Sequence, residues 1–150
     1  MRIVADTSGV VAAIVAAEPA HEGCRQALED ASEVFISPCV VTETCYLLRA
    51  GGHAGAVSGF LANLAEGFYT IVPLVAEDCG LMDSLLKSYA DQLRRQRPKP
   101  GTIDVADAHN VVIAAQAETT LLLTLDQDYR AIRPLAGPPF FTLVPADLGP

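Results

Sequence analysis

Five short apolar runs, at residues 2–5, 33–36, 69–72, 121–124 and 140–144, are separated by stretches of helix length and period. Nothing else in the 150-residue chain constrains its fold as strongly. Parallel strands cannot be joined by tight turns; they need a crossover of a dozen residues or more, usually a helix. Strands alternating with helices therefore read as an α/β fold with a mostly parallel central sheet covered on both faces. Leu121-Leu122-Leu123-Thr124 shows this most clearly, because a strand buried on both sides is apolar at consecutive positions. The length suits one domain with a substantial core, and residues 1–150 are read as such.

The connecting stretches carry their own start and stop signals. A first helix is expected from about Ser8 to Ala17, capped by Thr7 or Ser8 and stopped before Pro19. A second covers about residues 20–31. Ser37-Pro38 places a capping residue ahead of a proline at the first helical position, the favoured order for a helix start. That helix should run to about Arg49, with Val40, Val41, Thr44, Leu47 and Leu48 on its apolar side, and end at Gly51-Gly52. Further helices are expected at about 53–66, 76–95 and 104–117, the second with Leu81, Leu85, Leu86, Tyr89 and Leu93 near helical period. A breaker-rich loop, 97–101, separates the last two.

Composition excludes several classes. Although 51% of residues are hydrophobic, no run approaches the ~20 residues of a membrane span. Residues 9–17 imitate a signal-peptide core, but Asp6 and Glu18-Pro19 flank them and only Arg2 precedes. A cytoplasmic protein with no membrane association is expected. Cys24, Cys39, Cys45 and Cys79 are scattered without a CxxC pair and read as free thiols. The net charge of −8 argues against a broad basic nucleic-acid face. Yet Arg94, Arg95, Arg97 and Lys99 place four of the ten basic residues within six positions. An acidic protein can bind a polyanion if cations cover its carboxylates and a local patch does the rest.

The ends of the apolar runs matter, because ligands of open α/β sheets bind outside the carboxyl ends of the strands. Ile3-Val4-Ala5 ends in Asp6, and the run at 121–124 is followed by Asp126 and Asp128. Glu43 lies among Val40, Val41, Cys45 and Leu47 with no Lys or Arg three or four residues away; it is either a surface acid or an unpaired one that needs a cation. Asp104 and Asp107 share one face at a helix start. Capping explains Asp104 well, while Asp107, one turn in, is the better functional candidate. Asp126 and Asp128 also suit a plain Asx-type turn opening a short helix. Acids gathered at one sheet edge need a counter-charge, and all-oxygen sites suit Mg²⁺ or Mn²⁺. Metal-assisted displacement at phosphorus fits, since it needs no side-chain nucleophile. No GxSxG, GxxxxGK[ST] or HExxH occurs, and His21, His53 and His109 lack metal-ligand spacing and read as surface or packing residues.

The order Val4-Ala5-Asp6-Thr7-Ser8, then Glu43 on a helix after Ser37-Pro38, then Asp104-Val-Ala-Asp107-Ala108, then Thr124-Leu-Asp126-Gln-Asp128-Tyr129, resembles the PIN-domain family and its VapC-type toxins. The resemblance runs from Ile3 to about Val144. It implies a three-layer α/β/α sandwich and a Mg²⁺- or Mn²⁺-dependent endoribonuclease, the toxin of a type II toxin–antitoxin pair, hydrolysing RNA with a metal-activated water. Asp6, Glu43, Asp107 and Asp126 match the family's acids, with Asp128 a variable fifth. Ser8 and Thr124 match positions that hydrogen-bond around them. A homodimer held inactive by a cognate antitoxin protein is also implied.

Against that background, Arg94, Arg95, Arg97 and Lys99 are candidates to grip RNA phosphates, with Arg130 and Arg133 as second candidates; the first four equally suit the C-terminal end of a helix. With no Trp in the chain, broad base stacking is not expected. Two other readings remain open. One is a receiver- or haloacid-phosphatase-type phosphoryl-transfer domain with Asp6 phosphorylated, disfavoured by Thr7-Ser8 and by the lack of any Lys after Lys99. The other is a non-catalytic binding module whose acids hold a structural ion.

Overall fold

A computed structural model of the chain describes residues 1–96 and 103–148, with side chains described outside 90–96. Five strands form one sheet in the order β3-β2-β1-β4-β5, and every neighbouring pair is parallel. The strands are β1 (Arg2–Ala5), β2 (Glu33–Ile36), β3 (Thr70–Ile71), β4 (Leu121–Leu123) and β5 (Thr142–Val144). Between them lie α1 (Thr7–Ile14), α2 (His21–Glu29), α3 (Pro38–Ala50), α4 (Ala54–Ala65), α5 (Ala76–Gln96) and α6 (Val105–Gln116). A 3-10 turn, Gln127–Ala131, follows β4.

The alternation along β1 builds the layers. Ile3 and Ala5 face one core with Val10, Ala12, Val34, Ile36 and Val40, under α1 to α4. Val4 faces the other with Met82, Leu85, Val111, Leu122 and Leu143, under α5 and α6. The result is the expected α/β/α sandwich. No helix among the described residues is long and apolar enough to cross a membrane. The four cysteines are free thiols.

Several element ends differ from the sequence reading. α1 stops at Ile14 rather than Ala17, because Val15 is already extended. β3 keeps only two of its four expected residues, both exposed, at the edge of the sheet. β5 begins at Thr142; Phe140 is solvent-facing and Phe141 buried. α3 buries Val40, Thr44 and Leu48 but exposes Leu47. α5 buries Met82 and Leu85 and exposes Leu81. In both helices the buried stripe follows i, i+3 and i+4 steps, and one aliphatic residue falls just off it. The loop at 97–101 lies outside the described residues.

Two features fix the helices around the sheet's carboxyl edge. Ser37 caps α3 by accepting the Cys39 N–H at 3.1 Å, with Pro38 at the first position. Its hydroxyl also meets buried His109 Nδ1 of α6 at 2.8 Å, tying the starts of two helices together. Gly9 in α1 packs so tightly on β4 that an added Cβ would lie 2.5 Å from the Leu123 carbonyl oxygen. That close approach brings the first turn of α1 against the tip of β4.

Candidate active site at the strand tips

The chain leaves β1 toward β2 and β3, then returns to place β4 on the other side of β1. This is a topological switch point, where crossovers diverge and open a crevice at the carboxyl edge. Asp6 occupies it. Its backbone N–H donates to Leu123 O at 3.0 Å, continuing the β1–β4 ladder, and its carbonyl accepts the Val10 N–H to start α1. Asp6 is thus the N-cap residue by position, yet its side chain caps nothing.

The carboxylate is held by neutral donors. Oδ2 accepts the hydroxyls of Ser8 and Thr124, each at 2.8 Å, and Oδ1 accepts Asn110 Nδ2 at 3.3 Å. The expectation that Thr7 or Ser8 caps α1 is corrected: both hydroxyls turn to carboxylates, Thr7 to Glu43 and Ser8 to Asp6. Ser8 Oγ and Thr124 Oγ1 also accept the Leu125 and Asp126 backbone N–H groups, so the strand tip and the helix start are knitted through two hydroxyls. Only 7% of Asp6 is exposed, and burial raises its pKa above 3.8, opposed by the Ser8 and Thr124 hydroxyls.

Asp107 stands across from it on α6. Asp104 and Asp107 form a capping box: Asp104 Oδ1 accepts the Asp107 N–H at 3.0 Å and Asp107 Oδ2 accepts the Asp104 N–H at 2.9 Å. Asp104 is therefore a cap. The remaining oxygen of Asp107 accepts the Tyr129 hydroxyl at 2.9 Å. Asn110 Nδ2 donates both to Asp6 and, at 3.0 Å, to the Tyr129 oxygen, so Asp6, Asn110, Tyr129 and Asp107 form one buried chain. Burial pushes the Asp107 carboxyl up to about 7, with the charges of Asp104 and Asp6 adding to the rise and the Asp104 N–H and Tyr129 hydroxyl opposing it. A carboxyl so displaced, beside a second buried carboxyl in a crevice, is a mark of a functional site.

Glu43 and Asp126 flank this pair. Glu43 is exposed, not set against the apolar side of α3; Thr7 Oγ1 donates to its Oε2 at 2.7 Å and ties it to the start of α1. Asp126 is half-buried, caps the 3-10 turn by accepting the Asp128 N–H at 2.8 Å, and is linked back to Asp6 through Thr124. Asp128 is half-buried on the same turn. The acids are thus joined through hydroxyls and amides into a chain. Among the described residues, no three His, Cys, Asp or Glu side chains close around one point.

The donor chemistry suits a hard divalent cation: the acids offer only oxygen, and buried Asn110 Oδ1 has no hydrogen-bond partner. Asp6, Asp107, Glu43 and Asp126 are the residues that could hold such an ion, although the four-acid cage is not closed. Glu43 and Asp126 are engaged by Thr7 and the Asp128 N–H.

The basic candidates are placed differently. Arg94 and Arg95 are in the last turns of α5, with side chains outside the described residues; Arg97 and Lys99 lie outside them altogether. The Arg130 guanidinium donates to Asp147 at 2.7 and 3.2 Å and to Gln127 at 2.8 Å, so it is committed within the fold. The Arg133 backbone N–H meets the Tyr89 hydroxyl at 3.1 Å.

Neither Asn110 nor Tyr129 is a site candidate on sequence, and Thr7 is one only as a helix cap. Asn110 had a signal, because it stands three residues after Asp107 and so shares its helix face. Tyr129 follows the acidic strand tip directly but looks like an ordinary core aromatic, and only its position reveals the hydroxyl's partner.

Residues 3–134 match the PIN domain family model. Ribonuclease VapC26 of Mycobacterium tuberculosis (strain ATCC 25618 / H37Rv) is 31% identical over 145 residues, covering 95% of this chain and all of that protein. The crystal structure of M. tuberculosis VapC20, a Sarcin-Ricin loop cleaving toxin, superposes with a TM-score of 0.61 at 22% identity, covering 86% of this chain and 93% of that one. The acids at the strand tips, the sheet order and these relatives agree that the chain belongs to the PIN domain family, among its VapC-type ribonuclease toxins.

Proposed function

We propose that this toxin cleaves RNA phosphodiesters with the help of Mg²⁺ or Mn²⁺ held by Asp6, Asp107, Glu43 and Asp126, and that a cognate antitoxin protein restrains it. The observation that carries the reading is buried Asp6 and half-buried Asp107, linked through Asn110 and Tyr129 at the switch point, with no cation bonded to either among the described residues. A divalent cation bound there would supply the missing positive charge, lower the pKa of a water and polarise a phosphoryl oxygen.

The chain's own residues set the stage for this. Ser8, Thr124 and Asn110 fix both oxygens of Asp6. Tyr129 and the Asp104 N–H fix Asp107. Such neutral donors orient a carboxylate without cancelling its charge, the role outer-shell partners play around metal ligands. Thr7 keeps Glu43 on the same edge, where an exposed carboxylate is free to approach substrate water or an ion. We further propose a homodimer and a cytoplasmic site of action, on the family resemblance.

The phosphoryl-transfer reading is disfavoured by the same geometry. The described lysine, Lys87, pairs with Asp83 on the surface of α5, away from Asp6. The test is cleavage of structured RNAs by wild type and Asp6→Asn with Mg²⁺, with Mn²⁺ and after EDTA. Wild type should cleave only with metal, and Asp6→Asn should not cleave. Equal activity of the two proteins, or activity that survives EDTA, overturns the proposal.

A further inference from the structure

The acids account for breaking a phosphodiester but not for holding the nucleotide beside it. An open groove of about 630 Å³ runs alongside Glu43, lined by Pro38, Cys39, Thr42, Glu43, Tyr46 and Ala106. Its walls belong to the two helices that carry the acids. Residues 39, 42, 43 and 46 form one face of α3 at helical spacing, and Ala106 immediately precedes Asp107 on α6. The groove is therefore continuous with the acid site.

Tyr46 dominates it. The residue is 68% exposed, whereas Tyr129 and Tyr69 are buried in ring-to-ring contacts. A single exposed aromatic is ordinary on a protein surface; what sets Tyr46 apart is that it lines the groove that Glu43 also lines. The remaining lining side chains are short and, Glu43 apart, uncharged, so the groove offers a flat apolar slot and no cation for a phosphate. Arg49 is exposed one turn further along α3.

We propose that Tyr46 is the stacking platform for the nucleobase next to the scissile phosphodiester, with the groove between α3 and the start of α6 as that base's subsite. This rests on the ribonuclease reading above. A base is joined to its phosphate through one sugar, so a phosphate at the acids delivers its base to an adjoining slot. Stacking on a phenol ring is tolerant of base identity, because every base has a π-face. The subsite thus selects for an unpaired nucleotide rather than for a sequence, since a base held in a duplex cannot reach the ring. A single-residue platform is compatible with the expectation that broad base stacking is absent from a chain without Trp.

The test compares wild type, Tyr46→Phe and Tyr46→Ala on an RNA oligonucleotide cut at a mapped site, and on the same oligonucleotide made abasic beside that site. Tyr46→Ala should raise KM about tenfold or more and change kcat less, and Tyr46→Phe should behave as wild type. The abasic substrate should cost wild type the same factor but cost Tyr46→Ala nothing more. Both variants should melt as wild type does, because the side chain is exposed. In a parallel arm, 2-aminopurine placed at that base should be quenched on binding to Asp6→Asn and not to Asp6→Asn/Tyr46→Ala. A wild-type KM for Tyr46→Ala overturns the proposal. So does unchanged cleavage with a weakened antitoxin complex, which makes the groove a protein-docking face. If wild type shows no metal-dependent cleavage, the ribonuclease reading fails and the 2-aminopurine arm still decides the stacking.

Discussion

Replacing Asp6 by Asn should stabilise the metal-free fold at alkaline pH and not at acid pH. The reason is the buried pair. Asp107 is carried from 3.8 to about 7, by burial first and by the charges of Asp104 and Asp6 after it. At about 1.4 kcal/mol per pH unit, that displacement represents about 4 kcal/mol of stability. The folded chain holds this proton more tightly than the unfolded one. Its contribution is fully present below pH 3.8 and gone above about 7, so metal-free stability should fall as pH rises through that window. Asp6, also raised by burial, acts with the same sign. In Asp6→Asn the amide oxygen can keep the Asn110 bond, while its NH₂ meets the Ser8 and Thr124 hydroxyls, which must turn to accept. That rearrangement costs about 1 kcal/mol. Removing a buried charge returns more than this once Asp107 is ionised, for a net gain of about 2 kcal/mol near pH 8.5. A domain of this size gains about 2–4 °C in Tm per kcal/mol. Urea unfolding of EDTA-treated wild type and variant, followed by circular dichroism at pH 5 and 8.5, measures the difference at each pH. The chain's overall acidity acts on both proteins alike and cancels in the comparison. A variant whose stability relative to wild type is the same at both pH values refutes the reasoning.

Tyr129→Phe removes the hydroxyl between Asn110 and Asp107 and leaves two buried polar groups short of a partner; unfolding should show a loss of about 2 kcal/mol, with RNA cleavage reduced as well. Gly9→Ala forces a Cβ against the Leu123 carbonyl, so α1 must back away from β4; a loss of about 1–3 kcal/mol in urea unfolding, and weaker cleavage through displaced Ser8 and Asp6, are expected. Arg130→Ala removes a cation already paired with Asp147, so the slope of log RNA affinity against log salt, measured on Asp6→Asn, should not change.

The fold was legible where the signals were local and strong. β2 is placed to the residue by Glu33-Val34-Phe35-Ile36, and α3 begins where Ser37-Pro38 says it should. The element ends that slipped are those decided by tertiary surroundings. β3 is short because only one side of it has a neighbour to pair with, a fact invisible in Tyr69-Thr70-Ile71-Val72. The acids at strand tips were legible for a similar reason: an apolar run cut off by a carboxylate is conspicuous in one dimension. Of their partners, Ser8 and Thr124 came through the family resemblance, and the others were not legible. Asn110, Thr7 and Tyr129 are ordinary residue types in their elements, and their meaning comes from contacts spanning 104, 36 and 22 positions. Glu43 was open to two readings on its own helix, a surface acid or an unpaired one, and the structure gives the first. It is exposed, and its link to the site is Thr7, not an unpaired place against the apolar face.

The chain's choice of partners for its acids explains why a metal-free site would be poised rather than settled. Asp6, Asp107, Glu43 and Asp126 are each held by hydroxyls, an amide or backbone N–H groups, and among the described residues none of the four is in an ion pair. Among the described residues, Arg2, Arg25, Lys87 and Arg130 pair with acids elsewhere on the surface. A cationic donor bonded to Asp6 in place of the neutral ones would neutralise the carboxylate. It would also remove the unbalanced charge that gives a divalent cation something to bind. Neutral donors leave the carboxylates oriented and their repulsion intact, so a cation that relieves the repulsion binds more strongly for it and stabilises the fold by the same linkage.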